Sequence, residues 1–123
     1  MEIQVLPHRF TVCQVTDYSL VNLQSDYVFI EKTPEENSLV CPTKDVPANT
    51  LQRDDGWRAF RIQGVLDFSL IGILSNIAAV FANHEIPIFA VSTYNTDYIL
   101  IQEAYYQKGL YALQSSGYKI ANC

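Results

Sequence analysis

The sequence predicts a fold of the α/β class, in its α+β form, with a regular β-α-β-β-α-β order in the C-terminal half. Two patterns support this prediction. Apolar residues alternate with polar ones over short stretches, as in half-buried strands, and recur every three or four residues over two longer stretches, as in amphipathic helices. With 123 residues, 49% of them apolar, the chain can form one compact domain or two small fused ones.

The first strand and the first helix follow a glycine-containing turn. Residues 58–65 alternate between apolar and polar side chains, which predicts a strand. Residues 64–69 form a loop, and the apolar spacing over residues 70–83 predicts a helix. This helix is expected to end near His84, since Pro87 follows shortly after it.

Two more strands and a second helix complete the order. Residues 86–92 and 98–103 are rich in β-forming side chains and flank a turn at Asn95–Thr96, so they predict a hairpin. Residues 104–116 predict a helix, and residues 118–120 predict a final short strand. The whole is the ferredoxin-like arrangement, with both helices on one face of a four-stranded antiparallel sheet.

The N-terminal half is less regular. Strands are predicted at residues 9–15, 26–32 and 38–41, and residues 17–24 read either as a short helix or as a loop. This half resembles a shortened copy of the C-terminal unit. The polar stretch Arg53–Gly56 is expected to be a turn or linker between the two halves.

Charge and cysteine content narrow the classes of function. The net charge is −5, and the whole acidic excess lies in residues 1–55, which carry nine acidic and four basic side chains. Such a chain repels phosphate, so we expect no nucleic-acid partner. Cys13, Cys41 and Cys123 are far apart and odd in number, which is typical of reduced thiols rather than of disulfides or a zinc site.

No segment of the sequence reads as a signal peptide or as a membrane span. We therefore expect a cytoplasmic protein without a membrane partner. The sequence also contains none of the common catalytic motifs. Asp67 and Asp97 could serve as a general acid and base, but nothing near them supplies a nucleophile or a metal. We accordingly expect no catalytic residues, no metal and no cofactor, and hence no enzyme.

The loop before the first helix is the best candidate for a binding site. Free backbone N–H groups at a helix N-terminus attract a carboxylate, and Asp67 in the same loop would attract an ammonium group. Together they suit a zwitterion such as an amino acid. The alternative is that Asp67 merely caps the helix.

Other candidates lie in the loops at either end of the second strand. Asp97 either stabilises the hairpin turn or contacts a ligand, and Glu85 is either a solvated loop charge or a ligand contact. Tyr94 and Tyr98 flank the turn and either stack on a ligand or pack within the protein.

Several stretches resemble one protein family, and they extend along nearly the whole chain. They are Leu6–Phe10, Phe29–Glu36, Trp57–Arg58, Gly64, Asp67–Ser69 and Ser92–Leu100. The most specific is the hairpin motif Ser-Thr-Tyr-Asn-Thr-Asp. These stretches resemble the ACT-domain family, and within it the small proteins related to the cytosolic arginine sensors called CASTOR.

The resemblance implies a regulatory module that binds an amino acid where two units meet. It implies a shortened ACT-like unit over residues 1–55 and a complete one over residues 56–123. The arginine sensors contain two such modules and this chain has one, which implies a homodimer. The implied ligand-binding residues are Gly64, Val65, Leu66, Asp67, Phe68, Ser69, Leu70, Glu85, Thr93, Tyr94, Asn95 and Asp97.

Two alternatives to an amino-acid sensor stay open. The protein could be an interaction module that recognises another protein through its acidic half. It could also be the detached regulatory subunit of an amino-acid biosynthetic enzyme, such as an amino-acid kinase.

Overall fold

Alternating apolar residues place much of the chain in strands. The computed structural model describes residues 2–62 and 72–122, and this part contains seven strands, two α-helices and two 3-10 helices. The strands are β1 (Glu2–Val15), β2 (Phe29–Lys32), β3 (Asn37–Pro42), β4 (Thr50–Ile62), β5 (Phe89–Ser92), β6 (Asp97–Gln102) and β7 (Lys119–Asn122). The α-helices are α1 (Ile73–Asn83) and α2 (Tyr106–Ser115), and the 3-10 helices are Thr43–Asp45 and Glu103–Tyr105. None of these helices is long and apolar enough to span a bilayer.

The chain divides into two units. The N-terminal unit is His8–Trp57, and the C-terminal unit combines Met1–Pro7 with Arg58–Cys123. The first seven residues thus belong with the C-terminal unit. Residues 2–5 pair there with β7, and nothing in a local pattern reveals which distant strand a segment will pair with.

The C-terminal unit has the predicted ferredoxin-like fold. Its core lies between one face of the sheet and the two helices, since alternate residues of β1, β4 and β6 form a single buried cluster with residues of α1 and α2. This core contains Ile3 and Val5 of β1, Phe60 and Ile62 of β4, Ile99 and Ile101 of β6, Ile77 and Phe81 of α1, and Leu113 of α2. The mixed α+β class and the order β-α-β-β-α-β are therefore confirmed.

The sheet of this unit differs from the prediction in one respect. It has five strands in the order β7-β1-β4-β6-β5, and not four. Residues 2–5 of β1 pair in parallel with β7, in the register Glu2↔Lys119 to Val5↔Asn122. The sequence pattern predicted this strand only from Arg9 onwards, so it did not indicate the pairing with β7.

The N-terminal unit has four strands, in the order β2-β3-β1-β4, and no α-helix. Residues 17–24, for which a short helix or a loop was predicted, form turns. A small buried cluster lies against one sheet face, formed by Cys13, Val15, Leu39 and Cys41, with Tyr18, Val21, Val28 and Val46 packed on it.

The predicted turn at Arg53–Gly56 was wrong, because β4 runs straight through it. Only Gly56, at φ 85°, keeps a turn-like conformation. Residues 51–55 are exposed, so their polar composition does not conflict with a strand, and pairing with β1 satisfies backbone groups of β4. Composition alone could not reveal this pairing.

The two units contain matching hairpins. Strands β2 and β3 pair from Phe29↔Val40 to Lys32↔Asn37, and strands β5 and β6 pair from Phe89↔Leu100 to Ser92↔Asp97. Every partner in the second hairpin is thus 60 positions after its counterpart in the first. A four-residue turn joins the strands in each unit, and a 3-10 helix follows each hairpin.

Candidate functional site

The predicted site residues fall into two groups. Residues 64–70, predicted as the loop before the first helix, lie outside the described residues. Glu85 and the hairpin residues Thr93, Tyr94, Asn95 and Asp97 are described. The geometry of the site can therefore be built from the end of β4, the start of α1 and the β5–β6 hairpin.

Helix α1 starts without a side-chain cap. It begins at Ile73, three residues later than predicted, and Gly72 before it adopts a left-handed conformation at φ 83°. The amide of Asn76 donates to the Gly72 carbonyl at 2.8 Å. Within the described part of the chain, no side chain accepts from the first amides of α1 and its first turn carries no acidic residue. These amides have the partial positive charge that attracts an anion.

The hairpin turn is closed by three hydrogen bonds between two threonines. The Thr93 amide donates to the Thr96 carbonyl at 2.9 Å, and the Thr93 hydroxyl donates to the same oxygen at 3.0 Å. The Thr96 amide in turn donates to the Thr93 hydroxyl oxygen at 3.3 Å. Thr93 therefore holds the turn together, while Tyr94 at its tip is 83% exposed.

Thr96 ties the hairpin to the end of β4. Its hydroxyl, in a side chain only 6% exposed, donates to the Ile62 carbonyl at 3.0 Å. Ile62 is the last residue of β4. The hydrogen bond thus places the hairpin turn beside the end of β4. Thr96 was missing from the predicted site, although a threonine directly before a strand was the signal available in the sequence.

Asp97 stabilises the hairpin, which is one of the two roles that the sequence suggested for it. It pairs with Ser92 across the two strands, and the Ser92 hydroxyl donates to Asp97 Oδ1 at 2.6 Å. The side chain is half-buried. This bond fixes the orientation of the carboxylate at the edge of the turn, so the structural role and a ligand contact are compatible. Ser92 is a second residue that the sequence analysis missed.

Glu85 does not lie with the hairpin turn. It follows α1 with φ 59°, is exposed, and donates its amide to the Ala82 carbonyl at 3.0 Å. The turn follows β5, whereas Glu85 precedes it, so the length of a four-residue strand, about 13 Å, separates them. Within one chain, the structure brings Thr93, Tyr94, Asn95 and Asp97 together and leaves Glu85 at the opposite end of α1.

The described residues also bear on metal binding. Within residues 2–62 and 72–122, no group of three or more histidine, cysteine or acidic side chains is arranged to hold a metal ion. The site built above consists of backbone amides, hydroxyls and one carboxylate. Such groups bind a small polar molecule by hydrogen bonds and charge.

The C-terminal unit is thus a βαββαβ unit whose hairpin turn is tied to the end of β4, and its sequence matches a known family. Residues 52–115 fit the family model of the ACT domain. Because this match spans more than half of the 123 residues, the chain belongs to the ACT domain family. The predicted family is thereby confirmed, whereas the narrower relation to the CASTOR-like proteins stays a prediction.

Several solved structures have a similar fold. Protein Atu0741 from Agrobacterium tumefaciens is 24% identical, with a TM-score of 0.85 over 99% of this chain and 92% of that one. The aspartokinase α and β subunits are 17% identical, with a TM-score of 0.66 over 94% and 97% of the two chains. The regulatory subunit of aspartate kinase from Thermus thermophilus is 11% identical, with a TM-score of 0.59 over 89% and 93%. Comparison with curated proteins finds no significant match.

Proposed function

We propose that this protein is a non-catalytic regulatory ACT protein that binds an amino acid. The observation that carries the proposal is the anchored hairpin: the Thr96–Ile62 hydrogen bond holds the turn of residues 93–97 beside the end of β4, the strand that precedes α1 in the chain. Membership of the ACT domain family supports a regulatory role. Two structural neighbours, an aspartokinase and the regulatory subunit of an aspartate kinase, agree with it.

The proposed ligand contacts follow from complementary charge. The uncapped amides at the start of α1 would donate hydrogen bonds to the carboxylate of an amino acid, and Asp97 would accept hydrogen bonds from its ammonium group. Residues 64–70 would line the site between them, with Asp67 as a second acidic contact. Thr93, Tyr94 and Asn95 would contact the ligand from the hairpin side.

The position of Glu85 favours a homodimer. One chain keeps it at the far end of α1 from the hairpin turn, so Glu85 could join the site only from a second copy. The matching hairpins of the two units also support the proposal that residues 1–55 are a shortened ACT-like unit and residues 56–123 a complete one. We place the protein in the cytoplasm, without a cofactor, and the CASTOR-like subtype belongs to the same proposal.

Thermal unfolding with each of the twenty amino acids tests this proposal. A ligand at 100 times its dissociation constant should stabilise the protein by about 2.7 kcal/mol. Asp97→Asn should weaken the binding of that ligand by about tenfold or more, because it removes a charge while an oxygen for the Ser92 hydroxyl remains. Asp54→Asn, an exposed acid in the N-terminal unit, is the matched control and should bind as the wild type does.

Failure of all twenty amino acids to stabilise the protein would overturn the proposal. Equal loss of binding in Asp97→Asn and Asp54→Asn would do the same, since it would show that net charge rather than the site matters. Sedimentation of the ligand-bound protein as a monomer would remove the dimer from it.

A second candidate is the detached regulatory subunit of an amino-acid biosynthetic enzyme such as an amino-acid kinase. The similarity to a regulatory subunit of aspartate kinase over 89% of this chain favours it. The two candidates differ in their effect on a kinase. A regulatory subunit changes the rate of a kinase added in trans, whereas an independent sensor leaves that rate unchanged. Assaying an amino-acid kinase from the same source with and without the protein separates them.

A further inference from the structure

The segment of residues 16–28 in the N-terminal unit stands where the C-terminal unit has α1, between the first strand and the hairpin. Helix α1 buries Ile77 and Phe81 against its sheet. The segment 16–28 instead covers its sheet with the half-buried Tyr18 and Val21 and contains no helix. The chain order is the same in both units, but the covering layer is thinner in the N-terminal one.

Two consecutive turns give this segment a defined shape. The Val21 amide donates to the Tyr18 carbonyl and the Ser25 amide donates to the Asn22 carbonyl, both at 3.3 Å. These turns direct Tyr18 and Val21 inwards. They leave two leucines outside, Leu20 at 56% exposure and Leu23 at 70%.

Three acidic side chains lie within this segment or next to it. Asp17 precedes them and accepts hydrogen bonds from the amide and the hydroxyl of Ser19. Asp45 is held beside the segment, because the Asn22 side-chain amide donates to its Oδ1 at 3.3 Å. Asp26 closes the segment and is exposed.

We propose that the leucine–aspartate surface, formed by Leu20, Leu23, Asp17, Asp26 and Asp45, binds a short, positively charged amphipathic segment of a partner protein. The exposed leucines supply apolar contact, and the acids around them select lysine or arginine at its rim. The N-terminal unit has eight acidic and four basic residues, so its net charge of −4 attracts such a segment over a longer range.

The same charge argues against other occupants. Cytoplasmic membrane surfaces and nucleic acids are negative and would be repelled. The N-terminal unit of a second copy, with the same net charge of −4, would be repelled from this surface as well. The surface lies wholly within the N-terminal unit, so this inference is independent of the proposed amino-acid site in the other unit.

Fluorescence anisotropy with a labelled amphipathic peptide of leucine and lysine tests the apolar part of the surface. The double variant Leu20→Ser with Leu23→Ser should weaken binding by about tenfold or more, because both apolar contacts are removed. Both leucines are exposed, so the variant should unfold at the wild-type temperature. Tyr111→Ser removes a comparably exposed side chain, 68% exposed on α2, and should change nothing.

Charge reversal tests the acidic part. Asp26→Lys should weaken binding several-fold, and more at low salt than at high salt. Asp54→Lys is the control. Asp55 accepts a hydrogen bond from Thr11 on the sheet face that the segment covers. Because successive side chains of a strand point to opposite faces, Asp54 points to the other face. A peptide with glutamate in place of lysine should not bind.

Equal affinity in the leucine variant and the wild type would overturn the inference, as would equal effects of Asp26→Lys and Asp54→Lys. Two further results would also overturn it. A wild-type dimer that the leucine substitutions dissociate would identify a second copy as the occupant. Anionic vesicles that bind the wild type but not the leucine variant would identify a membrane surface. Amino-acid stabilisation should persist in the leucine variant, so failure of this inference leaves the proposed function intact.

Discussion

The guanidinium carbon of Arg58 lies 3.8 Å from the centre of the Tyr106 ring, at the start of α2. Phe60 stacks on the same ring, with centroids 6.0 Å apart and planes tilted by 17°. Arg58 Nη1 also lies 3.7 Å from Oε1 of Glu103, which is in the 3-10 helix directly before α2. The first turn of α2 is thus held on β4 by contacts of the Tyr106 ring with a cation and with a second aromatic ring.

Breaking this contact should destabilise the protein. Arg58→Ala should lower the free energy of unfolding by about 1–2 kcal/mol, because the Arg58 side chain is only 12% exposed. Tyr106→Leu should lower it similarly, and the double variant should lose less than the sum. Urea unfolding of the four proteins measures this coupling. Strict additivity would mean that the two side chains do not interact.

Removing the hydroxyl of Thr96 should affect both stability and the site. Thr96→Val leaves the buried Ile62 carbonyl without this donor, which should cost about 1–3 kcal/mol of unfolding free energy. It should also weaken binding of the amino acid, since the hairpin loses its anchor. Thr96→Ser keeps the hydroxyl and should stay close to the wild type in both measurements. If Thr96→Ser is as damaging as Thr96→Val, the hydrogen bond is not the cause.

Gly109 should tolerate no side chain, although it lies inside α2. A Cβ atom there would approach Ile101 Cδ1 to 2.6 Å and Phe81 Cε1 to 3.3 Å. Alanine gains about 1 kcal/mol over glycine in helix propensity, but crowding in a packed core costs about 1–3 kcal/mol. Gly109→Ala should therefore lower the melting temperature. Adding Ile101→Val, which removes the crowded Cδ1 atom, should restore part of the loss.

Asp55 should make stability depend on pH in the acid range. A hydrogen bond of 2.6 Å from the buried Thr11 hydroxyl, followed by contacts from Arg53, holds the pKa of Asp55 below its ordinary value. The stabilisation is therefore complete above the pKa of the unfolded chain, about 3.9, and is lost as pH falls through the lower folded-state pKa.

Urea unfolding across the acid range checks this dependence. Asp55→Asn should reduce the loss of stability on acidification relative to the wild type. Asp54→Asn, the neighbouring exposed acid, should keep the wild-type slope. Parallel slopes for wild type and Asp55→Asn would show that the Thr11–Asp55 bond does not contribute.

Local patterns in the sequence were sufficient for much of the C-terminal unit. The stripe Ile73, Ile77 and Phe81 repeats every four residues, so α1 could be recognised without knowing its partners. Gly117, at φ 94°, follows the end of α2 in the left-handed conformation that glycine favours, next to the predicted helix end at residue 116. The family was also recognisable, because the hairpin motif is a short continuous run of residues.

What the sequence by itself determined was therefore the helices, the β5–β6 hairpin and the ACT family, which all depend on residues close together along the chain. Only the tertiary structure decided that residues 2–5 pair with β7, that β4 continues through Arg53–Gly56, and that Thr96 reaches the Ile62 carbonyl. Each of these depends on a partner at least 34 residues away or on main-chain pairing. Backbone hydrogen bonds to a distant strand leave no mark in local side-chain patterns, because every residue offers the same donor and acceptor.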